Sequence, residues 1–222
     1  MALTYNDTTF STENIIFGDV KKYTKPAAFQ RIPLSYKYPD GERKLSIKIP
    51  ESFSWGIQAN KNTSSSRIDS YTFPFVMGEE KGTIEMLETI CEAIKKHLLT
   101  EEVKEALGIW DKDEAIHRMT ILYRKKERGK IVAESAPTLY PKLMTKYEVG
   151  KTANAPVITT GIYDEKDNLM SPDILIGRRC KAIGAVIVDN IFIGGGKFSI
   201  QLKVNDVIVT HMFNTTTRLL KA

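Results

Sequence analysis

The sequence predicts a mainly β chain of the α+β class: an antiparallel barrel or strongly curved sheet with one inserted helical unit. Three observations carry that prediction. Several segments alternate apolar and polar residues with period two, as half-buried strands require. Helical spacing is confined to one acidic stretch, 82–115. The connections are short and turn-rich, without the strand–helix alternation of a doubly wound sheet. A barrel or curled sheet hides the edges that such strands would otherwise expose.

Taken in order, residues 1–27 form a polar N-terminal arm, apolar only at Ile15, Ile16 and Phe17, that can add an edge strand. Strand signals begin at Phe29. Leu45, Ile47 and Ile49 alternate with Lys44, Ser46 and Lys48, giving one apolar and one basic face, and Pro50 is expected to end the strand. Residues 59–69 read as a polar loop. Tyr71, Phe73 and Phe75 alternate as an aromatic strand in which Pro74 demands an edge or bulge; Phe73, Phe75 and Phe198 are assigned to the core. Ile84, Leu87, Ile90, Cys91, Ile94 and Leu98 fall at helical spacing behind Thr83 as N-cap. A second helix restarts at Thr100 and stops at Gly108.

Beyond the helices, 119–123 reads as a short strand and 124–130 as a basic turn. The segment 137–143 carries two prolines and cannot be a central strand. A strand over 157–163 meets a polar turn at 164–168 and returns from Leu169. The apolar stretch 180–193 reads as a long strand bent at Gly184 and ended by Gly194, Gly195 and Gly196. Phe198, Ile200, Leu202 and Val204 then alternate up to a hairpin turn at Asn205 and Asp206, with 207–213 returning. We expect a single domain over 1–222.

Composition supports a globular reading. The 222 residues are 42% hydrophobic and 27% charged, enough for a sizeable core, and this excludes collagen-like, coiled-coil and disordered chains. No run approaches the ~20 apolar residues of a membrane span, and the polar N-terminus lacks the apolar stretch of a signal peptide. Two cysteines fit a reducing compartment, the cytoplasm or nucleus. The net charge of +5 is unevenly spread: +3 over 1–78, −6 over 79–115 and +8 over 116–222. Such a basic excess permits nucleic-acid binding without requiring it.

Catalytic and metal patterns are missing. His97, His117 and His211 are isolated, and none sits in a ligand motif. Gly194, Gly195, Gly196 and Lys197 fail the phosphate-loop pattern, because Ile191 and Phe198 stand where Gly and Ser or Thr are needed. Cys91 and Cys180 read as small core residues. We therefore expect no catalytic residue, no metal and no cofactor.

What remains is cations interleaved with aromatics: Tyr36, Lys44, Lys48, Trp55, the run Arg124, Lys125, Lys126, Arg128 and Lys130, then Tyr140 and Lys142, and finally Arg178, Arg179 and Lys181. Single-stranded nucleic acid calls for this mixture, since cations track phosphates and flat rings stack on unpaired bases. The plainer reading is that strands are rich in Tyr and Phe that face the core. Tyr36, Trp55 and Tyr140, beside Pro, Gly, Lys or Ser, are the aromatics expected at the surface.

The order of these parts resembles the single-stranded-DNA-binding proteins of nucleocytoplasmic large DNA viruses, whose core is an OB-fold. The parts are the basic strand region with Trp55, Gly56 and Ile57, the aromatic strand 70–75, the helix 83–98, the Pro-flanked segment 137–143 and the β region 174–213. The resemblance implies an OB-like barrel that binds single-stranded DNA without sequence preference in viral replication or repair, in a cytoplasmic viral factory or the nucleus. It carries Tyr140, Lys142, Arg178, Arg179 and Lys181 as binding residues, and it supplies no catalytic one. RNA binding, a homo-oligomer and a protein partner at the acidic helices stay open. So do two other functions: a virion or scaffold protein with a basic face, and, ranked lower, a nucleic-acid-processing enzyme.

Overall fold

The structure, a computed structural model, describes residues 2–4, 10–25, 27–62, 64–65, 67–78, 80–147 and 155–213. Its strands in the N-terminal part are β1 (Ile15–Phe17), β2 (Lys21–Tyr23), β3 (Phe29–Tyr38), β4 (Gly41–Arg43), β5 (Leu45–Ser54), β6 (Gln58–Lys61), β7 (Ile68–Thr72) and β8 (Phe75–Val76). Helices α1 (Lys81–Leu98), α2 (Glu101–Leu107) and α3 (Asp113–His117) follow. Then come β9 (Lys126–Glu127), β10 (Lys130–Ile131), β11 (Thr138–Leu139), β12 (Lys142–Leu143), β13 (Thr145–Lys146), β14 (Val157–Ile158), β15 (Gly161–Asp164), β16 (Cys180–Gly194) and β17 (Lys197–Met212). The class is mainly β with an inserted helical segment, as the periodicities predict. Among the described residues, no helix is long and apolar enough to cross a membrane.

The chain forms two compact units, one of residues 1–47, 79–123 and 187–202, the other of 48–78, 124–186 and 203–222. Strands β5, β16 and β17 contribute residues to both.

The first unit is organised on β3. Its Ile32, Leu34, Tyr36 and Tyr38 alternate inward. Strands β1, β2 and β4 pair with it antiparallel, and β16 joins through Asn190↔Pro33 to Ile193↔Gln30. In α1 the stripe Met86, Leu87, Ile90, Cys91, Ile94 and Leu98 is buried, while Glu85, Glu88 and Glu92 face out. The helix starts two residues ahead of the expected cap. Thr83 stands four residues before Leu87, on the buried stripe, so burying that stripe draws the first turn into helix. Helix α2 follows Thr100 and ends at Gly108 in the left-handed conformation, as expected.

In the second unit, β7 and β8 are successive parts of one stretch interrupted at Phe73 and Pro74. Residues 138–143 run antiparallel beside both, with Leu139↔Phe75 and Lys142↔Thr72. The strand order is β11-β8-β5-β16-β17-β12-β7-β6. The two stretches β7–β8 and β11–β12 thus take part at both sides of this path, so the sheet curls back on itself. Phe73 and Phe75 are fully buried, their ring centroids 5.1 Å apart. Gly184 does not break β16. Its hydrogen makes room for the Phe75 ring, whose Cζ would overlap any Cβ placed there.

Several expected boundaries move. Strand β5 continues through Pro50 to Ser54. Its pairing with β8 is at Phe53, three residues past Pro50, so the missing Pro50 N–H takes nothing from that pair. The polar stretch 59–69 is mostly hairpin: β6 and β7 flank a short turn closed by Asn62 N–H donating to the Arg67 carbonyl at 2.9 Å. Residues 119–123 are not a strand, and Thr120 Oγ1 donates to the Leu122 carbonyl at 2.7 Å instead. Asn205 and Asp206 lie inside β17, held extended by the parallel pairing of β15 that starts at Gly161↔Asp206. The hairpin turn falls earlier, at Gly195 and Gly196, both at positive φ. Phe198 is half-buried rather than core.

Candidate nucleic-acid interface

Charge segregates between the two units. The second holds 18 basic and 10 acidic residues, and the first holds 14 and 17. Twelve of the fourteen candidate binding residues belong to the second unit, and only Tyr36 and Lys44 belong to the first.

The best-built cluster starts on β5. Ser52 and Ser54 point inward, so period two turns Glu51, Phe53 and Trp55 outward. Trp55 is 36% exposed. Gly56 follows with φ +77, and a Cβ there would overlap the carbonyl oxygens of Leu175 and Arg178. That close approach lets Ile57 N–H donate to the Leu175 carbonyl at 2.8 Å and Gly177 N–H donate to the Ile57 carbonyl at 2.9 Å. The backbone thus brings Arg178 and Arg179 beside Trp55. Phe213 N–H donates to the Arg179 carbonyl at 3.1 Å. The Phe213 ring lies 5.8 Å from Phe53, which lies 5.6 Å from Trp55 edge-on, and His211 meets Phe213 at 4.7 Å. Both arginines are exposed and have no ion pair among the described residues. Lys181 is also exposed, with Nζ 3.4 Å from Glu51 Oε1, an exposed pair that holds it only weakly.

A second group lies on β12. Lys142 is exposed and stands in register with Lys203 on β17 and Thr72 on β7. Tyr140, 40% exposed, precedes it. Nearby in sequence, the exposed Tyr147 carries the Arg67 guanidinium 5.0 Å above its ring. Lys48 is exposed on β5.

The basic run forms a separate two-stranded hairpin of β9 and β10. Arg128 and Gly129 make its turn with φ +50 and +80, the geometry of a two-residue hairpin loop. Lys126, Arg128 and Lys130 are exposed, and Arg124 is half-buried. Lys125 sits 2.7 Å from Glu127, and that hydrogen bond holds the Glu127 carboxyl below its usual range.

Tyr36 is corrected. It is 1% exposed, its hydroxyl accepts the Ser11 N–H at 2.9 Å, and its ring meets Tyr38 at 4.9 Å. It shares the inward parity of Ile32 and Leu34, so no ring face is open to a base. Lys44 is exposed in the first unit, just before β5. Phe53, His211, Phe213, Arg67 and Lys203 were not singled out from sequence. Phe53 shares Trp55's parity and could have been found by period two. His211 was weighed only as an isolated metal ligand, and Phe213 only as the end of the returning strand.

Reactive groups are subdued. Burial pushes the Cys180 thiol up to about 11 and raises Cys91. Burial lowers His97, which stacks on Phe17 at 3.7 Å. Among the described residues, no three His, Cys, Asp or Glu side chains converge as a metal site would need.

Fold and site define a mainly β protein whose second unit carries an aromatic and cationic surface. The chain belongs to the family described as "Protein of unknown function (DUF2738)", which matches residues 13–222. It is 30% identical over 223 residues to the "Early 31 kDa protein" of Frog virus 3 (isolate Goorha), covering 96% of this chain and 82% of that one. Among solved structures it is similar to gp2.5, a single-stranded DNA-binding protein encoded by bacteriophage T7. That match has 12% identity and TM-score 0.46, over 80% of this chain and 97% of the other. It is also similar to the single-stranded DNA-binding protein of bacteriophage Enc34 in complex with single-stranded DNA. There the identity is 12% and the TM-score 0.45, over 81% and 92%.

Proposed function

We propose that this chain is a non-enzymatic, OB-like single-stranded-DNA-binding protein of the large-DNA-virus type, acting without sequence preference in viral DNA replication or repair. The observation that carries the reading is the cluster of Trp55, Phe53, Phe213, Arg178 and Arg179. Exposed ring surface beside arginines with no carboxylate partner among the described residues suits an unpaired base and its phosphates. A duplex hides its bases in the stack, so the same cluster would engage only its phosphates. The buried thiols favour binding over chemistry. The Frog virus 3 relative's description as an early protein fits replication, set in a cytoplasmic viral factory or the nucleus.

The test is a titration of the full chain against single-stranded DNA, duplex DNA and RNA of equal length, repeated across salt. We expect preference for single strands and a log–log salt slope of roughly −3 to −4, from four to six neutralised phosphates at about −0.7 each. Equal affinity for duplex, or binding indifferent to salt, overturns the reading.

A further inference from the structure

The first unit carries its own aromatic and cationic face, made by β2, β3 and β16. The pairings Lys21↔Arg31 and Tyr23↔Phe29 place these four residues on one side of the sheet, and Phe192↔Arg31 adds Phe192 to it. The rings form a ladder. Tyr23 lies 4.6 Å from Phe29 at 13°, and Phe29 lies 5.4 Å from Phe192 at 30°. The Arg31 guanidinium stands 5.0 Å from the Phe29 centroid and 5.6 Å from that of Tyr23. Gly194 keeps the ladder compact, since a Cβ there would crowd both Phe29 and Phe192.

The ladder is built but unfinished. Phe29 and Phe192 are half-buried, whereas the terminal ring, Tyr23, is 40% exposed. Lys21 and Arg31 are exposed on the same face, with no ion pair among the described residues. Tyr23 and Phe29 also wall a cleft of about 390 Å³, together with Gln30, Lys112, Gly195 and Phe198.

We infer that the β2–β3–β16 face of the first unit is a second stacking site for single-stranded DNA: one unpaired base continues the Tyr23–Phe29–Phe192 ladder, and its flanking phosphates meet Lys21 and Arg31. The inference rests on the proposed function and extends it to a unit whose net charge is negative. The ring ladder favours an unpaired base over a duplex, because only an unpaired base offers a free face.

The experiment is photocrosslinking of the full chain to an oligothymidylate containing 5-iodouracil, with the adduct mapped by mass spectrometry, beside binding titrations of Tyr23→Ala, Tyr23→Phe and Trp55→Ala. We expect an adduct within residues 21–31, a loss of about fivefold to a hundredfold in affinity for Tyr23→Ala, and affinity within twofold of the parent for Tyr23→Phe. Tyr23→Ala at parental affinity, with no adduct in 21–31 while Trp55→Ala still weakens binding, overturns the second site and leaves the proposed function standing. A parent chain that does not bind the oligonucleotide overturns both. Should Tyr23→Ala fail to fold by circular dichroism, the adduct on the parent chain decides the matter.

Discussion

The two units solve the same packing problem with opposite surfaces. In the first, α1 buries an apolar stripe and turns Glu85, Glu88 and Glu92 outward, and the unit carries more acidic than basic residues. In the second, β5 buries Ser52 and Ser54, turns Phe53 and Trp55 outward, and the unit is strongly basic. Burial alone does not require the outward aromatics of the second unit. Phe53 and Trp55 leave apolar surface in contact with water where a serine would serve. Such exposure, next to arginines without carboxylate partners among the described residues, is the feature expected to separate a binding face from a merely solvated one.

The largest effect expected from this contrast is loss of binding when the second unit's cluster is removed. Trp55→Ala combined with Arg178→Ala and Arg179→Ala should lower single-strand affinity by about a hundredfold or more, since one stacked base alone contributes about 1–3 kcal/mol. Fluorescence titration with thermal melting in parallel checks it, and parental affinity in a folded variant would break the contrast. Next comes a stability effect. Gly184→Ala drives a methyl into the fully buried Phe75 ring and should destabilise the chain by about 1–3 kcal/mol, read from the denaturant midpoint. Unchanged stability would mean that β16 and the aromatic strand separate readily. A smaller, sharper effect is on salt dependence. Replacing Arg178 and Arg179 should reduce the steepness of the log–log slope by about 1.4, whereas replacing Lys95 and Lys96 on α1 should leave it unchanged.

Much of this was legible from period and composition. The apolar stripe of α1, the inward Phe73 and Phe75, and the strand 180–194 follow from spacing alone, because one buried face imposes its own periodicity. Strand partners do not follow from spacing. Asn205 and Asp206 have strong turn propensity, yet the parallel neighbour β15 supplies backbone hydrogen bonds that reward extension more. Tyr36 fell on the wrong side of a decision that its own strand contained. Tyr36, Lys37 and Tyr38 alternate, Lys37 must be outside, and both tyrosines therefore share the side of Ile32 and Leu34. At the candidate site, Trp55, Arg178 and Arg179 could be named individually from sequence. Their meeting could not, because it depends on Gly56 accepting the backbone of residues 175–178 at a distance no side chain would permit.

The smallest effect tests the acidic side of the contrast. Glu101, Glu102 and Glu105 are exposed on α2. If the helical segment stays clear of DNA, changing all three to Lys should leave the number of nucleotides occluded per chain unchanged. Affinity should rise only about twofold to threefold at low salt, through the general field of the molecule. That gain should vanish as salt shortens the Debye length to about 3 Å at 1 M. A compensating loss belongs in the interpretation. Glu101 and Glu102 occupy the first turn of α2, where negative charge complements the helix N-terminus, and their reversal should cost about 0.3–1 kcal/mol each. The melting temperature should therefore fall slightly while affinity rises, a combination that a general loosening of the chain would not produce. A larger occluded length, or a gain that survives high salt, would mean that the helices touch the strand directly, and the division of labour between the two units would then have to be redrawn.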